Sequence, residues 1–267
     1  MRILFLGDVV GNSGCSKLVE DLASQKKQRE IDFVIVNGEN ADESGVGLTQ
    51  KICEKFFSSG VDVITSGNHI WDQKDIMQFI ENEKRILRPK NFFEPSPGKG
   101  FEIFTTVNNF KIGVLNLIGN VFMRKSNDVF ETANQFINKF KLKEDFDFLV
   151  VDFHGEITSE KNAIGHYFDG KASLVVGTHT HIPTNDARIL QNGTAYQTDA
   201  GMCGDYDSVI GMNKNNSLNR FTKKESIKHF PANGDSTLCG VIVECNTETG
   251  LANKVESYIF GEQLKNS

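Results

Sequence analysis

The stretch VVGTHTHIPT, Val175–Thr184, sets two imidazoles, His179 and His181, one residue apart directly after an apolar run. Taken alone, a histidine pair at a strand end is explained by ordinary hydrogen bonding. It acquires another meaning only if other segments finish in the same way, and four do. RILFLGD (2–8), DFVIVNGEN (32–40), VDVITSGNH (61–69) and DFLVVDFHGE (147–156) are also short apolar, β-branched or aromatic runs bounded by Gly or Asn, as strands are. Their continuous hydrophobicity suits strands covered on both faces, and in such sheets ligands collect outside the carboxyl ends of the strands.

Each of the five runs ends in side chains able to bind a metal ion: Asp8; Glu39 with Asn40; Asn68 with His69; His154; His179 with His181. Singly, each has a structural explanation. Asp8 suits a turn cap, Asn40 and Asn68 tolerate left-handed backbone, and His154 suits a buried, hydrogen-bonded position. Those explanations do not predict that carboxylate, amide and imidazole donors should fall at the same end of five different strands. That mixture is the donor set a metal pair requires.

Between the strands lie helical patterns. Ser13–Gln28 and Thr49–Ser59 carry apolar residues at helical spacing, the second with Thr49 as N-cap and Gly60 as C-cap. Strand and helix in alternation imply a mainly parallel sheet. Farther along, FEIFTTVNNFKIGVLNL (101–117), ILQNGTAYQT (189–198, with an Asn-Gly turn) and CGVIVECNTETGLANKVESYIF (239–260) read as antiparallel hairpins. The expected fold class is α/β, with mixed sheets packed as a sandwich and flanked by helices. With no repeat and no Pro/Gly/Ser-rich linker, one domain over 1–267 is favoured, with rim or cap segments at about 72–100 and 120–147; the plainer alternative for both is solvated surface helices.

Apolar residues make up 39% of the 267 and charged residues 24%, and no run approaches the roughly 20 apolar residues of a membrane span. A soluble protein is expected. Five cysteines without a CxxC pair suggest neither a disulfide framework nor a thiolate zinc site, which fits a reducing cytoplasm. A net charge of −6 with scattered lysines argues against extended nucleic-acid binding but leaves room for a local phosphate ligand. His166 and His229 lie outside the strand-end motifs and read as surface or packing residues. Cys203 sits in the glycine-rich loop 199–212, which either lines the pocket or is a surface turn. Asp72, in GNHIWD, suits orientation of His69 and a helix N-cap equally. A homo-oligomer is compatible with the Phe-rich stretches.

The ordered set GD, GEN, GNH, FHGE and GTHTHIPT, from Asp8 to His181, resembles the signature of the calcineurin-like metallophosphoesterases. With GDVVG, RPKNFFEPSPGKG, VDFHGEITSEK and GTAYQTDAGMCGDYDSVIGM, the chain is similar over nearly its whole length to the YmdB-like bacterial branch. One departure stands out: the first motif of the superfamily, GDxH, would place a histidine where this chain has Val10. Asn40 is what the branch offers instead, an oxygen donor exchanged for nitrogen, which makes the site harder and less zinc-like.

The resemblance implies that Asp8, Glu39, Asn40 and His181 hold one metal and that Glu39, Asn68, His154 and His179 hold a second, with Glu39 shared. It implies two divalent or mixed-valence ions, iron or manganese favoured and zinc, cobalt or magnesium admissible, about 3.5–4 Å apart. The activity implied is phosphodiester hydrolysis, with 2',3'-cyclic nucleotides favoured, by a hydroxide bridging the metals and with His69 as general acid. Alternatives are a phosphomonoesterase or nuclease on the same core, or a regulatory binding protein that keeps the metal site.

Overall fold

The computed structural model describes residues 1–223 and 228–264. In chain order the first half contains β1 (Arg2–Leu6), β2 (Asp8–Val9), α1 (Gly11–Gln28), β3 (Phe33–Asn37), α2 (Gln50–Ser59), β4 (Val63–Thr65), α3 (Ile76–Asn82), β5 (Phe101–Thr105), β6 (Lys111–Ile118) and α4 (Val129–Lys139). There follow β7 (Phe148–His154), α5 (Thr158–Tyr167), β8 (Leu174–Thr178), β9 (Arg188–Ile189), β10 (Ala195–Gln197), β11 (Met202–Asp205), α6 (Lys214–Thr222), β12 (Ser236–Cys245) and β13 (Ala252–Phe260).

The strands make two mixed sheets. The first has seven strands in the order β2-β11-β12-β1-β3-β4, with β13 on the other side of β12; the second has six, β5-β6-β7-β8-β10-β9. Strands β1, β3 and β4 run parallel, as do β6, β7, β8 and β10, while the hairpins β5–β6, β9–β10 and β12–β13 are antiparallel. All five strand runs and all three hairpins read from the sequence are therefore present.

Alternation along each strand builds the layers. In β1 and β3, Ile3, Phe5, Phe33 and Ile35 face the second sheet and meet Ile112, Val114, Phe148, Val150 and Val176. Their neighbours Leu4, Leu6, Val34 and Val36 turn the other way, onto Leu18 and Leu22 of α1 and Cys53 and Phe56 of α2. On the far side, Leu115, Leu149, Val151 and Val175 pack under Ala133 and Phe136 of α4 and Ile164 of α5. Four layers result, helix–sheet–sheet–helix, with every parallel strand covered on both faces. This is the α/β sandwich that the sequence predicts.

Local chemistry sets the ends of the elements. The Thr49 side chain accepts a hydrogen bond from the Ile52 N–H, and Gly60 closes α2 in the left-handed region with φ 106°, where glycine carries no Cβ penalty. Helix α1 starts earlier than its periodicity suggests, at Gly11, whose N–H donates to the Asn40 carbonyl. The first strand breaks at Gly7, where a Cβ would lie 1.9 Å from the Gly201 carbonyl oxygen. Segment 199–212, read from sequence as a loop, contains strand β11, which pairs in parallel with β2 through Met202–Asp8 and Cys203–Val9. Among the described residues no helix is long and apolar enough to cross a membrane.

Candidate metal centre

Because β1, β3, β4, β7 and β8 finish on one edge of the sandwich, their terminal side chains meet there. His154, the last residue of β7, is the hub. Its Nε2 lies 3.0 Å from Glu39 Oε1, 3.2 Å from Asn68 Oδ1 and 3.0 Å from His179 Nδ1. One ligand atom from each of Glu39, His154 and His179 falls within 4.8 Å of the others. Beside this group, His181 Nε2 is 3.3 Å from Asn40 Oδ1. Asp8 accepts the His179 N–H on Oδ2 and sets Oδ1 3.7 Å from His154 Nδ1. Asp8, Glu39, Asn40, His154 and His181 are buried. The structure thus brings together all seven residues singled out as ligands, with His69 next to them: its N–H donates to Glu39 Oε2.

Hydrogen bonds around the cluster fix which atom of each ring is free. The Thr178 hydroxyl donates to Asp152 Oδ1 and so accepts from His154 Nδ1–H at 2.9 Å. His181 Nδ1–H donates to the Ile210 carbonyl at 2.8 Å. The Asn40 amide NH₂ donates to the Gly45 carbonyl, which turns Oδ1 inward. His179 directs Nε2 at Glu156 and keeps Nδ1 inward. The inward atoms are donors crowded to about 3 Å, an arrangement that repels unless positive charge, a proton on His154 Nε2 or a metal cation, lies among them.

Three further observations fit a cation. Asp8 Oδ1 is buried and has no hydrogen-bond partner among the described residues. A Cβ on Gly67 would sit 2.3 Å from His154 Nε2 and 2.4 Å from Glu39 Oε2, so glycine there keeps a cradle open between the donors. The charge states match as well. Burial would raise Glu39, but His154 and His69 outweigh it and hold the carboxyl at about 2. Burial and the neighbouring His154 lower His179 to about 3, leaving it neutral. Burial lifts Asp8 despite His181 and His154, so its charge is under-compensated by the protein. Burial alone would lower His154, yet Glu39, Asp8 and Asp152 together raise it to about 9; the carboxylates thus call for one positive charge at His154 Nε2, held by a proton that a metal ion would displace.

Val10, standing where the superfamily has a histidine, is buried, and it bridges in parallel to Asn40. Gly211, with φ 90°, lies over it; a Cβ there would be 2.7 Å from Val10 Cγ1. The 210–212 turn thus occupies the space over Val10 and supplies the carbonyl that orients His181.

Several contributors do not stand out in the sequence. Asp152, two residues before His154, is buried under the cluster and accepts from Thr65 Oγ1 at 2.5 Å, Asn37 Nδ2 at 2.9 Å and Thr178 Oγ1 at 2.7 Å, one group from each of β4, β3 and β8. Burial raises it to about 7 against those bonds. Lys161 Nζ pairs with Asp199 at 2.5 Å, and Asp199 in turn accepts the N–H and hydroxyl of Thr180 and the N–H of Gly201. That brace holds a turn in which His179 and His181 both have positive φ, 99° and 66°. Asp72 Oδ2 accepts from His69 Nδ1–H at 2.6 Å, and it is not a helix cap, since α3 begins only at Ile76.

Among the described residues, two cavities open onto the cluster. The larger, about 710 Å³, is lined by Glu39, His69, His179 and His181 together with Ile210 and Met212, and His229 also borders it. The smaller, about 310 Å³, shares His69 and His179 and adds Asn68, Asp72 and the Phe122–Arg124 turn. His166 is exposed and outside both.

The model of the YmdB-like protein family matches residues 4–258. The chain belongs to the YmdB-like family. A 2',3'-cyclic-nucleotide 2'-phosphodiesterase of Bacillus subtilis is 43% identical over 98% of both chains. A putative phosphatase/phosphodiesterase of Mycoplasma genitalium is 37% identical over 96% of this chain and 92% of its own. Among solved structures, a hypothetical protein from Thermus thermophilus superposes with a TM-score of 0.90 at 36% identity, covering 98% of this chain and all of that one. A novel phosphatase from Mycoplasma pneumoniae gives 0.91 at 37% over 98% and 93%. This YmdB-like chain therefore has the metallophosphoesterase fold and is a hydrolase of that type.

Proposed function

We propose that this chain is a dinuclear metal-dependent phosphodiesterase acting on 2',3'-cyclic nucleotides or similarly small phosphodiesters. The carrying observation is the crowd of carboxylate, amide and imidazole donor atoms around His154 Nε2, set beside a histidine whose other nitrogen is already occupied. The name of the 43%-identical Bacillus relative supports the substrate class. Asp8, Asn40 and His181 form one donor group and Asn68, His154 and His179 the other, with Glu39 between them. Asn40's amide oxygen favours manganese or iron over zinc. Bound there, a cation pair supplies a nucleophile at neutral pH and neutralises charge gathering on the phosphoryl oxygens. Asp72 holds the Nδ1–H of His69, so the proton given to the departing oxygen leaves from Nε2, the step of a general acid. The chain acts as one domain over 1–267, with parts of 72–100 and 120–147 as its rim.

The test is hydrolysis by protein loaded with manganese or iron, using 2',3'-cyclic AMP, bis-p-nitrophenyl phosphate and the monoester p-nitrophenyl phosphate. The expected result is diester cleavage that chelation abolishes and metal restores, with 3'-AMP as product. Metal at 100 times its dissociation constant should add about 2.7 kcal/mol of stability, seen as a higher Tm. Cleavage of the monoester alone would favour a phosphatase, and inactivity on both diesters would overturn the proposal.

A further inference from the structure

Phe122 occupies a place that packing does not explain. It is 85% exposed, yet it has φ 61°, a left-handed backbone in which an aromatic residue carries about 1–3 kcal/mol of strain. Such a residue keeps that conformation only when its surroundings enforce it, and here they do. The turn follows β6, on the same edge as the metal centre. The buried carboxylate of Glu160 accepts the N–H groups of Asn120 and Val121. Asn120 accepts the Val129 N–H and donates to the Asn127 carbonyl, while Asn91 clamps Ile118 from both sides and reaches Asn127. The base of the turn is rigid, and its tip carries a large apolar ring into water.

The ring lines the smaller cavity together with His69, Asn68 and Arg124, and the Arg124 guanidinium lies 5.9 Å from the Phe92 ring. His69 borders this cavity as well as the larger one, so the departing oxygen that it protonates lies within reach of the turn. In a 2',3'-cyclic nucleotide whose 2' bond breaks, that oxygen is on C2', and the base is on the adjacent carbon, C1'. A nucleobase is therefore obliged to sit within a few bonds of His69, where the structure presents an exposed aromatic face.

We propose that Phe122 is the platform on which the substrate's nucleobase stacks, which makes the 119–127 turn a specificity element for nucleoside-bearing phosphodiesters. The inference rests on the phosphodiesterase reading above and deepens it. Stacking on an aromatic side chain accepts any base and discriminates mainly against substrates that lack one.

The experiment compares wild type, Phe122→Ala and Phe122→Tyr on 2',3'-cyclic AMP and on glycerol 1,2-cyclic phosphate, a cyclic diester without a base. Phe122→Ala should raise KM for 2',3'-cyclic AMP about 5- to 160-fold, the range that base–aromatic stacking supplies. It should leave kcat on that substrate, and KM for glycerol 1,2-cyclic phosphate, within twofold; Phe122→Tyr should behave as wild type. Equal effects on both substrates, or no effect on either, overturn the proposal, and an unchanged Tm verifies that the variant is folded. Wild-type protein inactive on both substrates overturns the functional reading instead. Base stacking is then judged by calorimetric binding of 3'-AMP, and equal affinity of wild type and Phe122→Ala overturns it.

Discussion

Lys161→Met tests how the double-histidine turn is held. Lys161 and Asp199 are each 1% exposed, and the Lys161 ammonium also donates to the Thr178 carbonyl at 2.8 Å. Methionine keeps most of the side-chain volume, so the change removes a charge rather than opening a cavity. Asp199 would then be a buried carboxylate with no cation beside it, a loss usually worth about 3–5 kcal/mol. Because Thr180 and Gly201 still donate to it, the lower end is expected, about 3 kcal/mol. For a chain of this size each kcal/mol moves Tm by about 2–4 °C, so calorimetry should show a fall of about 6–12 °C. Relaxation of His179 and His181 from positive φ should loosen metal binding, seen as reduced metal content per folded chain at a fixed free-metal level. Adding Asp199→Asn to Lys161→Met removes the orphaned charge and should recover part of the loss. A fall under 2 °C, or a double variant whose losses simply add, would refute the reasoning.

Three further expectations follow from the centre and the core. Asp72→Asn should lower kcat about 10-fold by freeing His69 to rotate; both side chains are over a third exposed, so Tm should hardly move, and unchanged kcat would show that Asp72 does not orient the acid. Gly67→Ala should cut activity about 10- to 100-fold and reduce metal content, because its Cβ would lie among the donors; elemental analysis finding full occupancy would contradict this. Burial pushes the thiols of Cys15, Cys239 and Cys245 up to about 12 and raises those of Cys53 and Cys203 well above the ordinary thiol range. A folded-state value above the ordinary 9 gives stability that is present below pH 9 and lost as pH rises toward 12. Resistance to guanidine should decline across that window, and at pH 8 a thiol-exchange reagent should label the native protein only slowly; a fast-reacting native thiol would count against it.

The centre was readable in the sequence because parallel strands share one carboxyl edge: donors at the ends of five separate runs, from Asp8 to His181, had to arrive at one place. What supports them was not readable. Asp152 and Thr178 lie within or at the end of apolar strands and look like core positions until Asn37 and Thr65, from distant segments, are seen bonded to Asp152. Lys161 reads as an ordinary helix lysine, and only tertiary contact reveals its burial against Asp199. Asp72 stands three residues from His69, a spacing that serves a ring partner and a helix cap alike. Strand β11 leaves little signal in the sequence because its pairing with β2 spans only two residues in a glycine-rich setting.

The donors come from opposite slabs of the sandwich: Asp8, Glu39 and Asn68 stand at the ends of strands of one sheet, His154 and His179 at the ends of strands of the other. The pocket therefore works like the tip of a caliper whose jaws are the sheets themselves, and its gauge is set by how Phe5, Ile35, Phe148 and Val150 mesh far behind it. A remote change that shears one slab against the other by a fraction of an ångström detunes the chemistry without touching any of its reagents.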